Sequence, residues 1–255
     1  MAGLDIDLTG RRALVTGGGS GVGAEISRVL VSAGAFVWVN DIYEDRAAKV
    51  AADLGGDTHA MAVKADVTSP SKIAGMRETT GSVDILVNNA GNPTQGFDLK
   101  RFVESDPDDW EYLMRLNLGA ILHVTHAYLG PMVEQGWGRV VTIASDAGRR
   151  GERLQAIYGA AKAGAMGFMR GLAAEVGAHG VTANCVALAT MRTGPTEAAI
   201  ARDPELERRL SRAYTIPRLG VPADVAPLVA LLCSDAGSWI TGQVYPVDGG
   251  YVSAL

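Results

Sequence analysis

Thr16-Gly17-Gly18-Gly19-Ser20-Gly21-Val22-Gly23 is the stretch on which the fold turns. Ahead of it, residues 12–16 form a short apolar run of strand type, and behind it residues 22–32 carry a helical pattern of small and apolar side chains. Glycines at 17, 21 and 23 permit a tight turn, let the backbone approach a pyrophosphate and seat the helix against a sheet, so the first helical N–H groups face phosphate oxygens. A glycine run alone is weak evidence. The strand before it and the helix after it, within one βαβ unit, make it a dinucleotide-binding turn. Gly17, Ser20, Gly21, Val22 and Gly23 are therefore the expected cradle.

Outward from this turn, short apolar runs at 35–40, 59–64, 85–88, 139–143, 181–186 and 244–247 alternate with helical patterns. The helical patterns cover 22–32, 45–54, 71–79, 107–135 (read as two helices), 156–176, 196–213 and 223–232. That alternation predicts the α/β class: a single doubly wound, Rossmann-like parallel sheet with helices on both faces and right-handed crossovers. With 255 residues and no linker-like composition shift, one domain spanning 1–255 is expected. Two connections, 91–106 and 188–216, are long for a compact domain and follow strands, where open α/β sheets place their ligand crevice. The second reads as a substrate lid, its alternative being a solvated helical excursion.

Composition removes several classes. Apolar residues make up 47% and charged residues 20%, and 23 basic against 28 acidic side chains give a net charge of −5 with no basic cluster. Nucleic acid and anionic membrane surfaces both need dense Lys/Arg, so neither is expected as a partner. Cys185 and Cys233 lie in apolar stretches and never join the four histidines in a metal-ligand spacing, so no metal site is expected. His123 and His126 read as core or interface histidines. Asp5 and Asp7 stand where a signal peptide would need a basic and then apolar run, which predicts a cytoplasmic location.

Asp41 ends the second strand 18 residues beyond Gly23, where a carboxylate can accept hydrogen bonds from the adenosine ribose and would repel a 2′-phosphate. Neither Ile42 nor any residue of the glycine loop is basic, so the expected cofactor is NAD. Asp41 as a helix cap is the alternative. Asp66 and Val67 end the third strand beside the expected adenine position, where Asp66 reads equally as a turn residue.

Further on stand Asn88-Asn89-Ala90-Gly91, Asn117, Ser145 at a strand end, and Tyr158 and Lys162 four apart on a helix. In this order the chain resembles the short-chain dehydrogenase/reductase family over essentially its full length. Hydride transfer between an alcohol carbon and nicotinamide requires a proton to leave or join the oxygen, and free tyrosine is a poor base near neutrality. Lys162, one turn from Tyr158, would lower the phenol's pKa by its positive charge. The resemblance implies that Lys162 also holds the nicotinamide ribose, that Ser145 bonds the substrate oxygen and that Asn117 anchors a relay water. Asn89, Ala90 and Gly91 would border the cofactor, with Thr193 on the carboxamide. It further implies a homo-oligomer, tetramer or dimer, through the small-residue helix that carries Tyr158.

The chain departs from the family pattern at Leu188-Ala189, where Pro-Gly is usual, so the backbone beside the nicotinamide is expected to take a different path. The run 143–151 resembles a branch acting on hydroxyacyl-CoA thioesters. It places Arg149, Arg150 and Arg153 just past the serine, where guanidinium groups could meet an anionic small-molecule substrate, with Leu188, Met191 and Ile200 covering an acyl body. The alternative is a solvated loop whose arginines pair with carboxylates. Two other readings remain: a 3-oxoacyl-(acyl-carrier-protein) reductase, and a non-catalytic dinucleotide sensor on the same fold.

Overall fold

A computed structural model describes residues 6–91 and 99–252; residues 92–98 of the first long connection lie outside them. In chain order the first half runs β1 (Arg12–Val15), α1 (Gly21–Ser32), β2 (Phe36–Asp41), α2 (Glu44–Asp53), β3 (Ala60–Lys64), α3 (Pro70–Thr80) and β4 (Ile85–Asn88). Next come α4 (Pro107–Met114), a π-helical turn (Arg115–Gly119), α5 (Ala120–Gln135), β5 (Gly138–Ser145), the short α6 (Ala147–Arg150) and α7 (Ala156–Val176). The last part is β6 (Val181–Leu188), α8 (Gly194–Arg202), α9 (Glu205–Ser211), α10 (Pro222–Cys233) and β7 (Val244–Val247).

All strand pairs are parallel, in the order β3-β2-β1-β4-β5-β6-β7. The chain winds outward from β1 to β3, then crosses back to β4 and winds the other way. The reversal between β1 and β4 opens a crevice at the carboxyl ends of the strands, as the doubly wound class requires. Side-chain alternation feeds two cores. Ala13 and Val15 of β1 pack with Ile26 and Leu30 of α1 and Val225 and Val229 of α10. Leu14 faces the other way, onto Met76 of α3, Tyr128 of α5 and Met169 of α7. Each fully buried side chain of the size of Leu30 contributes about 1.5–3 kcal/mol, so both helical layers are held firmly against the sheet.

The expected helix 196–213 is broken at Asp203-Pro204 into α8 and α9. Asp203 adopts φ −141°, ψ 89°, because a residue before proline is pushed out of the α region. The expected lid is thus two short helices. The Leu188-Ala189 departure does not bend the strand early: β6 stays paired up to Leu188, opposite Ser145.

Candidate active site

The glycine loop is packed so closely that side chains are excluded. A Cβ on Gly23 would lie 2.3 Å from the Gly17 carbonyl oxygen and 2.4 Å from Asn89 Nδ2. Gly17 itself has φ +61°, a left-handed conformation that favours glycine. Asn89 holds the loop by donating from Nδ2 to the Thr16 carbonyl at 2.9 Å and the Gly17 carbonyl at 3.0 Å. The Thr16 hydroxyl accepts from the Asn89 and Ala90 amides at 3.0 and 3.2 Å. Asn89 is therefore a strut of the cradle. The first turn of α1 leaves its leading N–H groups without intrahelical acceptors, and Ser20 enters it in extended backbone. Thr193, N-terminal to α8, comes within 3.3 Å of the Cβ position on Gly21, so the 188–216 segment passes against this loop.

Asp41 is buried, and its carboxylate accepts from the Gly19 amide at 3.2 Å and the Tyr43 amide at 3.0 Å. One basic residue outside the stretch weighed in the sequence also stands near this carboxylate. Arg46, in the first turns of α2, brings its Cβ within 2.8 Å of the Cβ position on Gly19, which is itself 2.6 Å from Asp41 Oδ2. Its exposed guanidinium lies 4.3 Å from the centre of the Tyr43 ring. Only helical periodicity, five residues beyond Asp41, could have pointed to it. Asp66 accepts from the Thr68 amide and hydroxyl at 2.8 and 2.7 Å, which fixes the turn after β3. Val67 joins Thr16, Asn88, Ala90 and Ile121 in lining a cleft over the sheet.

At the other side of the crevice, β5 delivers Ser145 and α7 delivers Tyr158 and Lys162. Ser145 hydrogen-bonds Tyr158, and its hydroxyl also accepts from the Ala147 amide at 3.2 Å. Lys162 is almost wholly buried, and Nζ donates to the Ile143 carbonyl at 3.1 Å. A Cβ on Gly91 would stand 2.8 Å from both Lys162 Nζ and Asn117 Oδ1, so the two polar atoms face one point. Asn117 sits on the π-helical turn, a local widening that often marks functional sites. Its Nδ2 donates to the Leu113 carbonyl at 3.2 Å, whereas Oδ1 is buried with no hydrogen-bond partner. An acceptor left so, beside a buried ammonium, is a place for a bridging polar ligand.

Burial outweighs charge in this cluster. It pushes the Tyr158 phenol up to about 12, the Ser145 hydrogen bond opposing and the Glu152 carboxylate reinforcing the shift. It also pulls Lys162 down to about 8. The direct lowering of Tyr158 by Lys162, expected from their spacing, is thus not the dominant effect here: Nζ lies 5.7 Å from the ring centre and is held by the Ile143 carbonyl. Glu152, expected only as a partner for the loop arginines, thus also acts on the Tyr158 phenol.

The loop arginines are placed differently from the expectation. Arg149 Nη1 donates to Asp146 Oδ1 at 2.7 Å and to Asp248 Oδ2 at 3.4 Å, so its charge is engaged within the protein. Arg150 is exposed and lies 4.4 Å from the centre of the Tyr251 ring. Leu188 and Met191 are buried in the α1/α10 core instead of standing open to the crevice.

Comparison with known proteins shows the family. The family profile described as enoyl-(acyl carrier protein) reductase matches residues 17–252. The chain is 36% identical to the acetoacetyl-CoA reductase of Shinella zoogloeoides, covering 94% of this chain and 98% of that protein. It is 35% identical to the 3-oxoacyl-(acyl-carrier-protein) reductase of Salmonella typhimurium, covering 94% and 97%. A solved 3-oxoacyl-(acyl-carrier protein) reductase from Brucella melitensis superposes with a TM-score of 0.90 at 29% identity, covering 98% of this chain and 94% of that one. The chain belongs to the short-chain dehydrogenase/reductase family. It is an oxidoreductase acting on CH–OH groups of small molecules, in a family that binds a nicotinamide dinucleotide. Among the described residues no helix is long and apolar enough to cross a membrane.

Proposed function

We propose that this enzyme interconverts a secondary alcohol and a ketone on a hydroxyacyl thioester, with NAD(H) as redox partner, in one domain closed by the lid 188–216. The observation that carries the reading is the convergence of Tyr158, Ser145, Lys162 and Asn117 Oδ1 on one end of the crevice. The glycine cradle and the unpartnered Asn117 oxygen fit a bound dinucleotide with its nicotinamide end beside Gly91. When bound, the nicotinamide supplies hydride exchange with the substrate carbon.

The chain's own residues do the rest. Gly17, Gly21, Val22 and Gly23 offer backbone to the pyrophosphate, and Asp41 accepts from the adenosine ribose hydroxyls. Ser145 donates to the substrate oxygen and fixes it beside the Tyr158 hydroxyl, which gives or takes the proton at that oxygen. Lys162 and Asn117 hold a polar bridge through which that proton leaves the site. The thioester class is supported by the reductases of acetoacetyl-CoA and 3-oxoacyl chains among the relatives. With Arg149 engaged, Arg150 is the guanidinium that meets an anionic substrate group. Leu122 and His123 of α5 are exposed, as are Ala160, Ala163 and Gly167 of α7, which supports association of like subunits through these helices. Arg46 favours a second reading, an acyl-carrier-protein ketoreductase using the 2′-phosphorylated cofactor, whereas a sensor would leave the Tyr158 cluster without a role.

The test is turnover of one hydroxy acid as its CoA thioester, its short thioester and its free acid, each with NAD and NADP, in wild type and Tyr158→Phe. Expected are a preference for the CoA form and for NAD. A fall in kcat of about 10²-fold or more is expected in the folded variant. Near-normal turnover by Tyr158→Phe would sink the catalytic assignment; equal rates for the three forms would sink the substrate class.

A further inference from the structure

Asp146 directly follows Ser145 and is fully buried. Its Oδ1 accepts from Arg149, yet its Oδ2 is buried with no hydrogen-bond partner. Asp248, just past β7, stands against it, close enough for the two carboxyls to hydrogen-bond. Asp248 Oδ1 accepts from the Gly250 amide at 2.9 Å, and Oδ2 accepts from the Val252 amide at 3.1 Å and from Arg149 at 3.4 Å. Two ionised carboxylates against one guanidinium would leave a net negative charge buried. One proton removes it. Asp248 already spends its oxygens accepting two backbone N–H groups and a guanidinium, so the proton belongs on Asp146 Oδ2, turning an orphaned acceptor into a donor.

We propose that Asp146 and Asp248 share a proton and, with Arg149, form a latch that holds the C-terminal segment and the end of the lid against the Ser145 loop. Both are positioning residues for that site. The segment it holds is tied onward: the Ile216 amide donates to the Gly249 carbonyl at 2.8 Å, and the Thr215 hydroxyl donates to the Gly250 carbonyl at 3.2 Å. Tyr251 meets Tyr214 edge-on at 5.1 Å, and the Tyr214 hydroxyl accepts from the Thr190 amide at 3.3 Å, at the other end of the lid. Lid, tail and serine loop therefore share one anchor, 99 residues of chain separating Arg149 from Asp248.

The charged and titratable groups around the pair are Arg149 and Arg150 of α6, Glu152 of the next turn, Tyr251 of the tail and Tyr214 of the lid. Burial raises the Asp146 carboxyl first, the Arg149 hydrogen bond opposes, and Asp248 raises it further. The sign follows. A carboxyl raised by folding contributes stability that is complete below its unfolded pKa and is lost as pH climbs through the raised value. Above it, two anions face each other and the latch loosens.

The positioning role rests on the catalytic reading above, so the test has one arm that needs no turnover. Amide hydrogen exchange at Gly250, Val252 and Ile216 is followed across pH in the full chain, corrected for intrinsic exchange. Wild type should lose protection as pH rises. Asp146→Asn, whose amide donates to Asp248 while its carbonyl accepts from Arg149, should stay protected throughout, and Asp146→Ala should lose about 10-fold or more. Asp248→Asn, which replaces an acceptor of the tail amides, should expose Val252 in a folded protein if Asp146→Ala fails to fold. Asp146→Asn exchanging as fast as Asp146→Ala, or pH-independent protection in wild type, overturns the latch. In the kinetic arm Asp146→Ala should raise KM more than it lowers kcat, with Asp146→Asn restoring KM and flattening its pH profile. An unmoved KM overturns the positioning role even if the exchange result stands. Loss of the Tyr158 assignment alone would leave the exchange result untouched.

Discussion

Gly91→Ala tests the heart of the site with one methyl group. Gly91 does not adopt a positive φ, so alanine meets no left-handed backbone penalty there. Its Cβ would stand 2.8 Å from Asn117 Oδ1 and 2.8 Å from Lys162 Nζ, where ordinary contact begins at 3.4 Å. Each polar atom must therefore retreat by about 0.6 Å, and any bridge between them loses its place. Both are side-chain ends, so the fold can yield, at a cost of about 1–3 kcal/mol for local overpacking. Lys162 yields less easily, because Nζ is buried and bonded to the Ile143 carbonyl at 3.1 Å. Displacements near 1 Å at reacting groups cost about 10²-fold, so kcat should fall by at least about 10-fold. The assays are steady-state turnover, thermal unfolding and NADH titration by fluorescence. A folded Gly91→Ala enzyme with wild-type kcat would refute the assignment of this point to proton relay.

Two further outcomes follow from charges at the two ends of the crevice. Lys162 is pulled by burial to about 8 from 10.5, so between those values the unfolded chain binds the extra proton and stability rises with pH. Lys162→Met should flatten that rise in denaturant titrations, and it should remove the loss of NADH affinity expected in wild type above about pH 8. An affinity independent of pH in wild type would contradict Lys162 as a charged ligand of the ribose. At the adenosine end, Asp41→Ala should raise kcat/KM and affinity for NADP, and adding Arg46→Ala should cancel most of the gain. Equal NADP binding in the single and double variants would show that Arg46 does not read the 2′-phosphate.

Seven strands and the glycine turn were legible because parallel strands buried on both faces read as short apolar runs, and because only glycine tolerates contacts such as 2.3 Å at Gly23. The Ser145, Tyr158 and Lys162 set was legible as a spacing on one strand end and one helix face. What escaped reading was contact across long stretches of chain. Arg149 meets Asp248 only because β7 ends beside β6, which ends beside β5. Nothing in the local sequence distinguishes that engaged guanidinium from the exposed one of Arg150. The apolar residues of the 188–216 segment misled for a related reason: Leu188 still belongs to β6, and Met191 packs its thioether against Gly220, so both serve the core.

The Tyr158–Lys162 pair shows how spacing can predict that two residues are neighbours and still misstate their physics. Four residues apart on a helix, an ammonium and a phenol are neighbours, which suggests that one charge directly stabilises the other. In the folded chain the ammonium is drawn to the Ile143 carbonyl and toward Asn117 Oδ1, while burial dominates both groups and drives them to about 8 and about 12. In the proposed mechanism Lys162 therefore serves the exit route of the proton more directly than the phenol's own ionisation. Gly91→Ala separates the two roles, since it blocks that route while leaving the Tyr158–Ser145 hydrogen bond in place. If Lys162 acted chiefly by lowering the phenol, the added methyl would shift the pH profile of kcat; if it acts through the route beside Asn117, kcat falls with the profile unmoved.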